Sequence, residues 1–422
     1  VSGSLKPEQR YRLVDQPTDA SISITGGPAA FTCTGLRITT PLSGSEGGGT
    51  GGDTTGLWGT PYHQEQCFTP DCTGIYLNYN GKPARPGEDR KRRRSQYILD
   101  LSTGQAANPF PEDCGILGLS RIRPLALLMR NGSGPYPAVC VYDIISGREL
   151  VSFELPGWTF QEAHFLADGA RVIVAHYRGH YYDEKCHSRF HLLHPDGFVE
   201  EVLNIDDCFC NHVQGCPVAP DLYSYNRWPT PHRPCDVAHH IREVHGTFDL
   251  ELPQREGVVK PGGIWGGQRD HYLWTPDGRR IASYFSPINS TSKDHFDYGW
   301  WVSVMDWRTG EDLSAEYPSD RWAGHFGVST DSRFLFAVGR RSFSKVFAIE
   351  VEALRNGWNE RVLCGCPASL VRNDNYGPFH MPFCLPDQSG VIFTAGWPGS
   401  GQGVYVVELP DDMRSIGKTT GR

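Results

Sequence analysis

One short phrase recurs six times along this 422-residue chain: a turn built on aspartate, followed by a run of β-forming residues. The turns are Phe68–Asp71, Leu166–Gly169, Ala219–Asp221, Thr275–Gly278, Ser329–Ser332 and Leu385–Asp387. Successive aspartates from Asp168 onwards are 53 to 56 residues apart, and the first gap of 97 is close to two periods. A degraded copy, Gly118–Ser120 followed by Ile122–Met129, fills that gap. A period of about 50 residues made of strands and turns predicts a β-propeller with seven blades.

The repeat therefore predicts an all-β fold, a seven-bladed β-propeller of four-stranded antiparallel blades that occupies residues 1–422 as a single domain. Residues 1–60 are less regular than the rest. Within them, Phe31–Thr39 has the composition of a strand, and its pairing with Val404–Glu408 would close the ring and remove exposed sheet edges. Helical periodicity is scarce, and Val351–Trp358 is the one short helix candidate.

Charge and hydropathy narrow the list of partners. The net charge of −8 leaves no basic footprint for nucleic acid. The basic run Arg90–Arg94 is read as a solvated hairpin tip, with a patch that guides polyanions as the alternative. No run reaches the about 20 apolar residues that span a bilayer. A monomer with neither a nucleic-acid nor a membrane partner is expected.

Thirteen cysteines bear on the compartment. Close pairs such as Cys67/Cys72, Cys208/Cys210 and Cys364/Cys366 lack the paired CxxC spacing of a zinc ribbon, so disulfides are favoured over structural zinc. Disulfides imply an oxidising compartment. Two glycosylation sequons, at Asn131 and Asn289, and a first residue that resembles a cleaved mature terminus favour the same interpretation. The protein is predicted to be secreted.

Histidines lie upstream of six of the aspartate turns, where the innermost strand of each blade is expected. They are His63, His164, His212, His271, His325 and His380. Innermost strands converge on the axis of a propeller, and converging imidazoles suit either metal binding or proton transfer near neutral pH. The alternative for any one of them is a structural histidine that bonds neighbouring blades together.

Part of this pattern resembles a known family. Gln66–Thr69 and Tyr97–Leu101 look like the first blade of oligogalacturonate lyases. Asp270–Gly278 resembles the metal-binding blade of that family, with a histidine before an aromatic strand and a Pro-Asp-Gly turn. His380–Phe383 and Val391–Thr394 resemble its last metal-bearing blade. The resemblance covers about half of the chain and implies a seven-bladed propeller lyase.

The resemblance also implies a metal. The family binds manganese through three histidines and one glutamine, and His271 and His380 match two of the histidine positions. The remaining two ligands are replaced here, and Asn375 is the nearest oxygen ligand. The implied cofactor is a divalent metal, calcium or manganese. The family's proposed base corresponds most closely to His212.

Ulvan lyases and the fungal lyases that act on rhamnosyl-glucuronate resemble the chain in layout. They use histidine and tyrosine for proton transfer and arginine against the uronate. The order His164, His180, Tyr225 and Arg242 matches such a set. The substrate implied by either resemblance is an acidic polysaccharide or oligosaccharide.

The expected function is therefore that of a secreted lyase that cleaves a 4-linked uronate, glucuronate or galacturonate, by β-elimination. Arg242, or a metal at His271 and His380, holds the carboxylate. The base is His164 or His212, and Tyr225 or a second histidine is the acid. His63 completes the wall of the cleft.

Two alternatives stay open. A glycoside hydrolase would recruit two carboxylates from Glu65, Asp207 and Asp270. A non-catalytic scaffold of the WD type would carry repeated Gly-His and Trp-Asp signatures, of which Gly324-His325 is a single example. The Pro- and His-rich stretch Asn211–Gly263 is expected to be a long functional loop.

Overall fold

The computed structural model describes sixteen segments of the chain, and all structural statements below concern them. They are residues 36–37, 57–59, 66–80, 94–100, 106–111, 113–130, 136–179, 185–229, 237–252, 258–260, 263–288, 301–318, 325–339, 345–365, 381–397 and 401–414. Within these segments the fold is all-β, apart from two short 3-10 helices at Glu352–Asn356 and Asp411–Met413. The first of them lies inside the predicted helix candidate. None of the helices in these segments is long and apolar enough to cross a membrane.

The strands form seven antiparallel sheets that follow one another along the chain, as the repeat predicts. The first strand, β1 (Leu36–Arg37), belongs to the last blade. Blades one to three are β2 (Leu57–Gly59), β3 (Gly74–Asn80), β4 (Arg94–Asp100), β5 (Ala106–Ala107); β6 (Cys114–Leu119), β7 (Leu125–Arg130), β8 (Ala138–Asp143), β9 (Arg148–Phe153); β10 (Thr159–Phe165), β11 (Val172–Arg178), β12 (His187–Leu193), β13 (Val199–Ile205).

Blades four to seven continue the series. They are β14 (Cys208–Gly215), β15 (Leu222–Pro229), β16 (Ala238–Glu243), β17 (Asp249–Glu251); β18 (Val258–Lys260), β19 (Gly263–Trp274), β20 (Arg280–Ile288), β21 (Trp301–Asp306), β22 (Asp312–Glu316); β23 (Phe326–Val328), β24 (Phe334–Val338), β25 (Lys345–Glu350), β26 (Arg361–Gly365); β27 (Phe383–Cys384), β28 (Gly390–Trp397), β29 (Gly401–Glu408). Six sheets have four strands, and blade five has β18 as a fifth.

The two ends of the chain meet in blade seven. There β1 pairs antiparallel with β29, and Leu36 lies opposite Val406. The N-terminal strand thus becomes the fourth strand of the last sheet, and the predicted closure of the ring is confirmed. Closure covers a sheet edge that would otherwise be exposed.

Apolar side chains fill the spaces between neighbouring sheets. Separate clusters of buried residues lie between blades two and three, three and four, four and five, five and six, and six and seven. A sixth cluster joins blades seven, one and two. Each described sheet is therefore packed on both faces, which explains why buried residues run continuously along the middle strands.

The aspartate turns have one shared geometry. In five of them the carboxylate accepts the backbone N–H two residues later, at 2.8–3.1 Å. The residue after the aspartate has a left-handed backbone, with φ between +57° and +65°, and is Cys72, Gly169, Gly278, Ser332 or Gln388. Aspartate favours such turns because its side chain replaces a backbone acceptor.

The stretch from Asn211 to Gly263, expected to be a long loop, is instead mostly blade four. Its described part contains the last five residues of β14 and the whole of β15, β16 and β17. The prolines and histidines concealed the strands, because two of the histidines, His239 and His240, are buried strand residues of β16.

The predicted disulfides are not found in the described part of the chain, where no disulfide joins two of the ten cysteines. Eight of the ten are buried. Cys208 and Cys210 lie two positions apart on β14, a geometry that strains a disulfide. Most of these cysteines therefore serve as small apolar side chains in the layers between blades.

Gln388 provides a test of how the turns hold neighbouring blades together. It is fully buried, and its amide donates to Asp331 Oδ2 at 2.9 Å and to the Met413 carbonyl at 2.7 Å. Its carbonyl oxygen accepts from Thr330 Oγ1 at 2.7 Å and from the Asp331 N–H at 3.2 Å. Gln388→Ala should lower the free energy of unfolding by about 2–4 kcal/mol, because buried partners lose their bonds. Denaturant unfolding measures it.

The matched control is Cys72→Gly, which changes the equivalent turn position of blade one. Cys72 is exposed and has φ +59°. Glycine adopts this conformation without steric cost, so this variant should be as stable as the parent or more stable. An unchanged stability in Gln388→Ala would show that the turns do not bind the blades together.

Candidate functional site

A backbone hydrogen bond across each inner turn defines equivalent positions in all seven blades. The residues that donate it are Thr69, Ser120, Leu166, Cys216, Thr275, Ser329 and Leu385. The acceptor lies five residues later in six blades and six residues later in blade four. Four residues before each donor stand Glu65, Ile116, Glu162, His212, His271, His325 and Met381. Four consecutive blades, three to six, therefore have an acidic or imidazole side chain at the same level.

Glu162, His212 and His271 lie on β10, β14 and β19, and His325 directly precedes β23. These strands contact one another from blade to blade, as β10 does with β14 and β14 with β19. Side chains at one level of neighbouring blades are therefore close to one another. We name Glu162, His212, His271 and His325 the polar row.

Two members of the polar row lie in β-bulges. In β14, two residues, His212 and Val213, lie opposite a single residue of β15. In β19, His271 and Tyr272 likewise lie opposite a single residue of β20. A bulge changes the direction of a side chain, and such bulges are common next to active sites.

The backbone at both bulged histidines is strained. His212 has φ +54° and His271 has φ +52°. A left-handed conformation costs a residue with a Cβ about 1–2 kcal/mol. Strain of this kind is typical of functional sites. The other described non-glycine residues with positive φ lie in turns or in the β13–β14 connection, so these two are the ones strained within a strand.

The rings of the polar row are close together. The ring centroids of His212 and His271 are 5.4 Å apart, and those of His271 and His325 are 4.3 Å apart. Nδ1 of His271 is hydrogen-bonded to the hydroxyl of Tyr284 at 2.5 Å, and the two rings stack. Tyr284 belongs to β20 and is nearly buried. The three imidazoles of the polar row thus lie beside one phenol, that of Tyr284.

Glu162 supports the histidine of the next blade. Its Oε2 accepts the N–H of Val213 at 2.8 Å, and its Oε1 is 3.8 Å from Nδ1 of His212. Burial raises the pKa of the Glu162 carboxyl, while His212 and the bulge N–H groups oppose that change. A carboxylate in this position stabilises an imidazolium at His212.

His164 has a different position from the polar row. It lies two residues beyond Glu162 on β10, and the N–H of Gly215 donates to its Nδ1 at 3.1 Å. Gln214, at the matching position of blade four, donates to the Tyr272 carbonyl of blade five at 2.7 Å. The side chains of His164 and Gln214 therefore each form a hydrogen bond between neighbouring blades. For His164 this is the structural alternative to a catalytic role.

Tyr225 and Arg242 lie together, but on the middle strands of blade four. Tyr225 stacks on His240 and packs against Phe190 of blade three. Its hydroxyl is 3.5 Å from Asp249, to which Arg242 also donates at 2.8 Å. Burial raises the pKa of Tyr225. The structure does not bring this pair into the polar row.

The remaining predicted residues, His63, His180, His380 and Asn375, lie outside the described residues. Of the residues named for a hydrolase, Glu65 also lies outside, and only the backbone of Asp270 is described. Asp207 has φ +53° in the connection between β13 and β14.

The described residues do not by themselves form a metal site. No group of three or more His, Cys, Asp or Glu among them is arranged to hold a metal ion. One nitrogen of His271 is engaged by Tyr284, and the other two predicted ligands lie outside. No step proposed below passes through a metal.

Two members of the site escaped the sequence reasoning. Glu162 lies six residues before Asp168, and His271 and His325 have the same spacing from the aspartates of their own turns. Tyr284 belongs to a second strand, and nothing in the repeat marks it. The register of β19 and β20 pairs Tyr284 with Asp270, and that register cannot be read from the sequence.

Comparison with solved structures agrees with the fold. An oligogalacturonate lyase in complex with manganese aligns with a TM-score of 0.66 and 15% identity, over 90% of this chain and 94% of that chain. A second oligogalacturonate lyase, from Vibrio parahaemolyticus, gives 0.65 and 14%, over 90% and 95%. No protein-family model matches, and no curated protein matches the sequence. At these identities the likeness establishes the propeller fold alone.

The buried imidazole of His176 makes stability depend on pH. It lies between blades two and three, where neither ring nitrogen has a hydrogen-bond partner in the described structure. Burial, with a contribution from His191, lowers the pKa of His176 to about 3. Below the unfolded pKa of about 6.5, the unfolded chain gains a proton that the folded protein excludes. From pH 7 to pH 5, this histidine should cost the folded state about 2 kcal/mol.

His176→Leu should remove that loss, so that the variant becomes relatively more stable as the pH falls from 7 to 5. Denaturant unfolding at several pH values measures it. Phe160→Leu is the control, because its ring packs on His176 with centroids 6.0 Å apart and does not titrate. It should lower stability without changing the pH dependence. Equal slopes for the parent and His176→Leu would contradict the assignment.

The strain in the bulges is also testable. At His271, glycine should be about 0.5–1 kcal/mol more stable than alanine, because alanine retains the steric cost of positive φ. His325 is the control, since it holds the equivalent position without positive φ. There, glycine should be the less stable replacement. The test compares the unfolding free energies of the four variants, glycine and alanine at each site. If glycine and alanine rank in the same order at both sites, the backbone at His271 is not strained.

Proposed function

We propose that this protein is a lyase that cleaves uronate-containing saccharides by β-elimination in the central channel. The observation that carries the proposal is the pair of strained histidines, His212 and His271, held side by side on neighbouring blades. β-Elimination needs a base and an acid close together, and imidazoles suit both roles near neutral pH. The fold shared with oligogalacturonate lyases and the sequence resemblance support the choice of substrate.

His212 is the proposed base. It takes the proton from C5 of the uronate, and the electron pair forms the C4–C5 double bond as the C4–O bond breaks. Glu162, 3.8 Å from Nδ1, stabilises the imidazolium that results. The bulge and the Val213–Glu162 hydrogen bond hold the ring in place.

His271 and Tyr284 are the proposed acid. Their 2.5 Å hydrogen bond lets a proton reach the leaving glycosidic oxygen from either group. His325, next to His271, extends the imidazole surface along the channel. A hydrolase would instead need two carboxylates about 5–10 Å apart. Among the described residues at this level Glu162 is the one carboxylate, beside three histidines, which favours elimination.

The finer parts of the proposal rest on the sequence. The substrate is an acidic polysaccharide or oligosaccharide with 4-linked glucuronate or galacturonate, and rhamnosyl-glucuronate side chains are included. Secretion and a monomeric state are predicted in the same way. A divalent metal, calcium or manganese, is a prediction of the family resemblance, and activity after chelation and metal replacement tests it.

The decisive experiment measures the ultraviolet absorbance of an unsaturated uronate product from a panel of uronate polymers and oligomers. His212→Ala and His271→Ala should each lower kcat by about 10²–10⁴, the usual contribution of a positioned acid or base. Tyr284→Phe should lower it less, because His271 remains. His245→Ala, an exposed histidine of blade four, is the control and should retain activity. Absence of unsaturated product from every substrate would contradict the lyase proposal.

A further inference from the structure

A cavity of about 420 Å³ lies in blade three, where β11 ends and β12 begins, and its lining includes no member of the polar row. Its lining includes Trp158, Arg178, Lys185, His187, Arg189 and Asp206. The volume is within the range of small-ligand sites. The described lining has three cations and one carboxylate, on a chain whose net charge is −8.

The cationic side chains are available to a ligand. Arg178 and Lys185 are exposed, at the end of β11 and just before β12. Arg189 is half-buried, and within the described residues its guanidinium lies 3.5 Å from the Glu201 carboxylate. Arginine binds a carboxylate through two parallel hydrogen bonds, and lysine adds a point charge. The excess charge favours an anionic ligand.

Local contacts fix the shape of the cavity. The guanidinium of Arg189 lies 4.5 Å from the ring centre of Trp158. Nδ1 of His187 is 2.9 Å from Asp206. Gly179 has φ +96°, and a Cβ there would be 2.5 Å from the Lys185 carbonyl oxygen, so the two backbones touch at the floor. An aromatic ring beside fixed cations suits a sugar that carries an acid group.

The position of the cavity relates it to the polar row. Trp158 directly precedes β10, and Glu162 lies four residues further along. Four extended residues span at most about 13 Å, so an oligomer of a few sugar units reaches both places. The cavity lies at the end of the sheet opposite the Asp168 turn, since β11 ends and β12 begins there.

We propose that this cavity is a second binding site for an acidic sugar unit, which holds a remote part of an oligomeric substrate while another unit lies in the polar row. The identity of the sugar rests on the proposed function. The charge of the ligand and the position of the site do not. The site gives longer substrates an advantage over dimers.

The experiment compares binding and kinetics of a galacturonate hexamer and a galacturonate dimer. In Arg178→Gln/Lys185→Gln, the Kd and KM for the hexamer should rise at least tenfold, with kcat unchanged. Values for the dimer should not change, because the dimer occupies the polar row alone. Arg148→Gln, an exposed arginine beside the outer turn of blade two, is the control and should behave as the parent. A neutral glucose hexamer should not bind at the cavity.

The outcomes separate this site from the proposed function. If no product forms but the hexamer binds and the double variant weakens it, the cavity is supported and the lyase proposal fails. If the hexamer is cleaved and the double variant keeps the parent Kd and KM, the cavity proposal fails alone. Displacement of the hexamer by equimolar inorganic phosphate at matched ionic strength, or equal binding of the neutral hexamer, would also overturn it.

Discussion

The hydrogen bond that closes each inner turn is the constraint from which the site follows. It gives each blade the same offset between the turn and the strand before it, and in blades three to six the residues four positions before the donor lie close to one another. In blade four the turn is one residue longer, yet His212 still lies beside His271. Packing of every sheet between two others then holds this arrangement rigidly.

The bulges place strain at the level where the proposed chemistry occurs. His212 and His271 have conformations that glycine adopts freely, but glycine has no imidazole. The strained backbone at these two histidines destabilises the folded state, and the apolar layers between the sheets offset that cost. A shared fold does not by itself imply a shared activity. Function must therefore be argued from the side chains at the axis.

Much of the fold could be predicted from the sequence, because turns and strands are local. The Asp277 turn and the strands around it lie where the repeat placed them, and the pairing of the chain ends followed from the need to cover an edge. The site was harder. Spacing from the aspartate selected His164 along with His212, but the first bonds to the next blade and the second lies in the row. Bulges and the register of paired strands depend on tertiary packing, and so do the partners of Tyr284 and Glu162.

Cysteine illustrates a second limit. A high count was read as a disulfide framework, yet most described cysteines are strand residues in apolar layers. Composition records the residue type and not its neighbours, and a buried thiol and half of a disulfide look alike in a sequence.

The pairing of β1 with β29 in blade seven affects how the protein folds during synthesis. Leu36 pairs with Val406, and 406 − 36 = 370 positions separate them, so this contact cannot form before Val406 has been made. Contacts of such long sequence separation slow folding. During synthesis β1 is made long before β29, so its pairing edge stays uncovered until β29 follows. An uncovered strand edge can pair with other chains, and the closure of blade seven removes that edge.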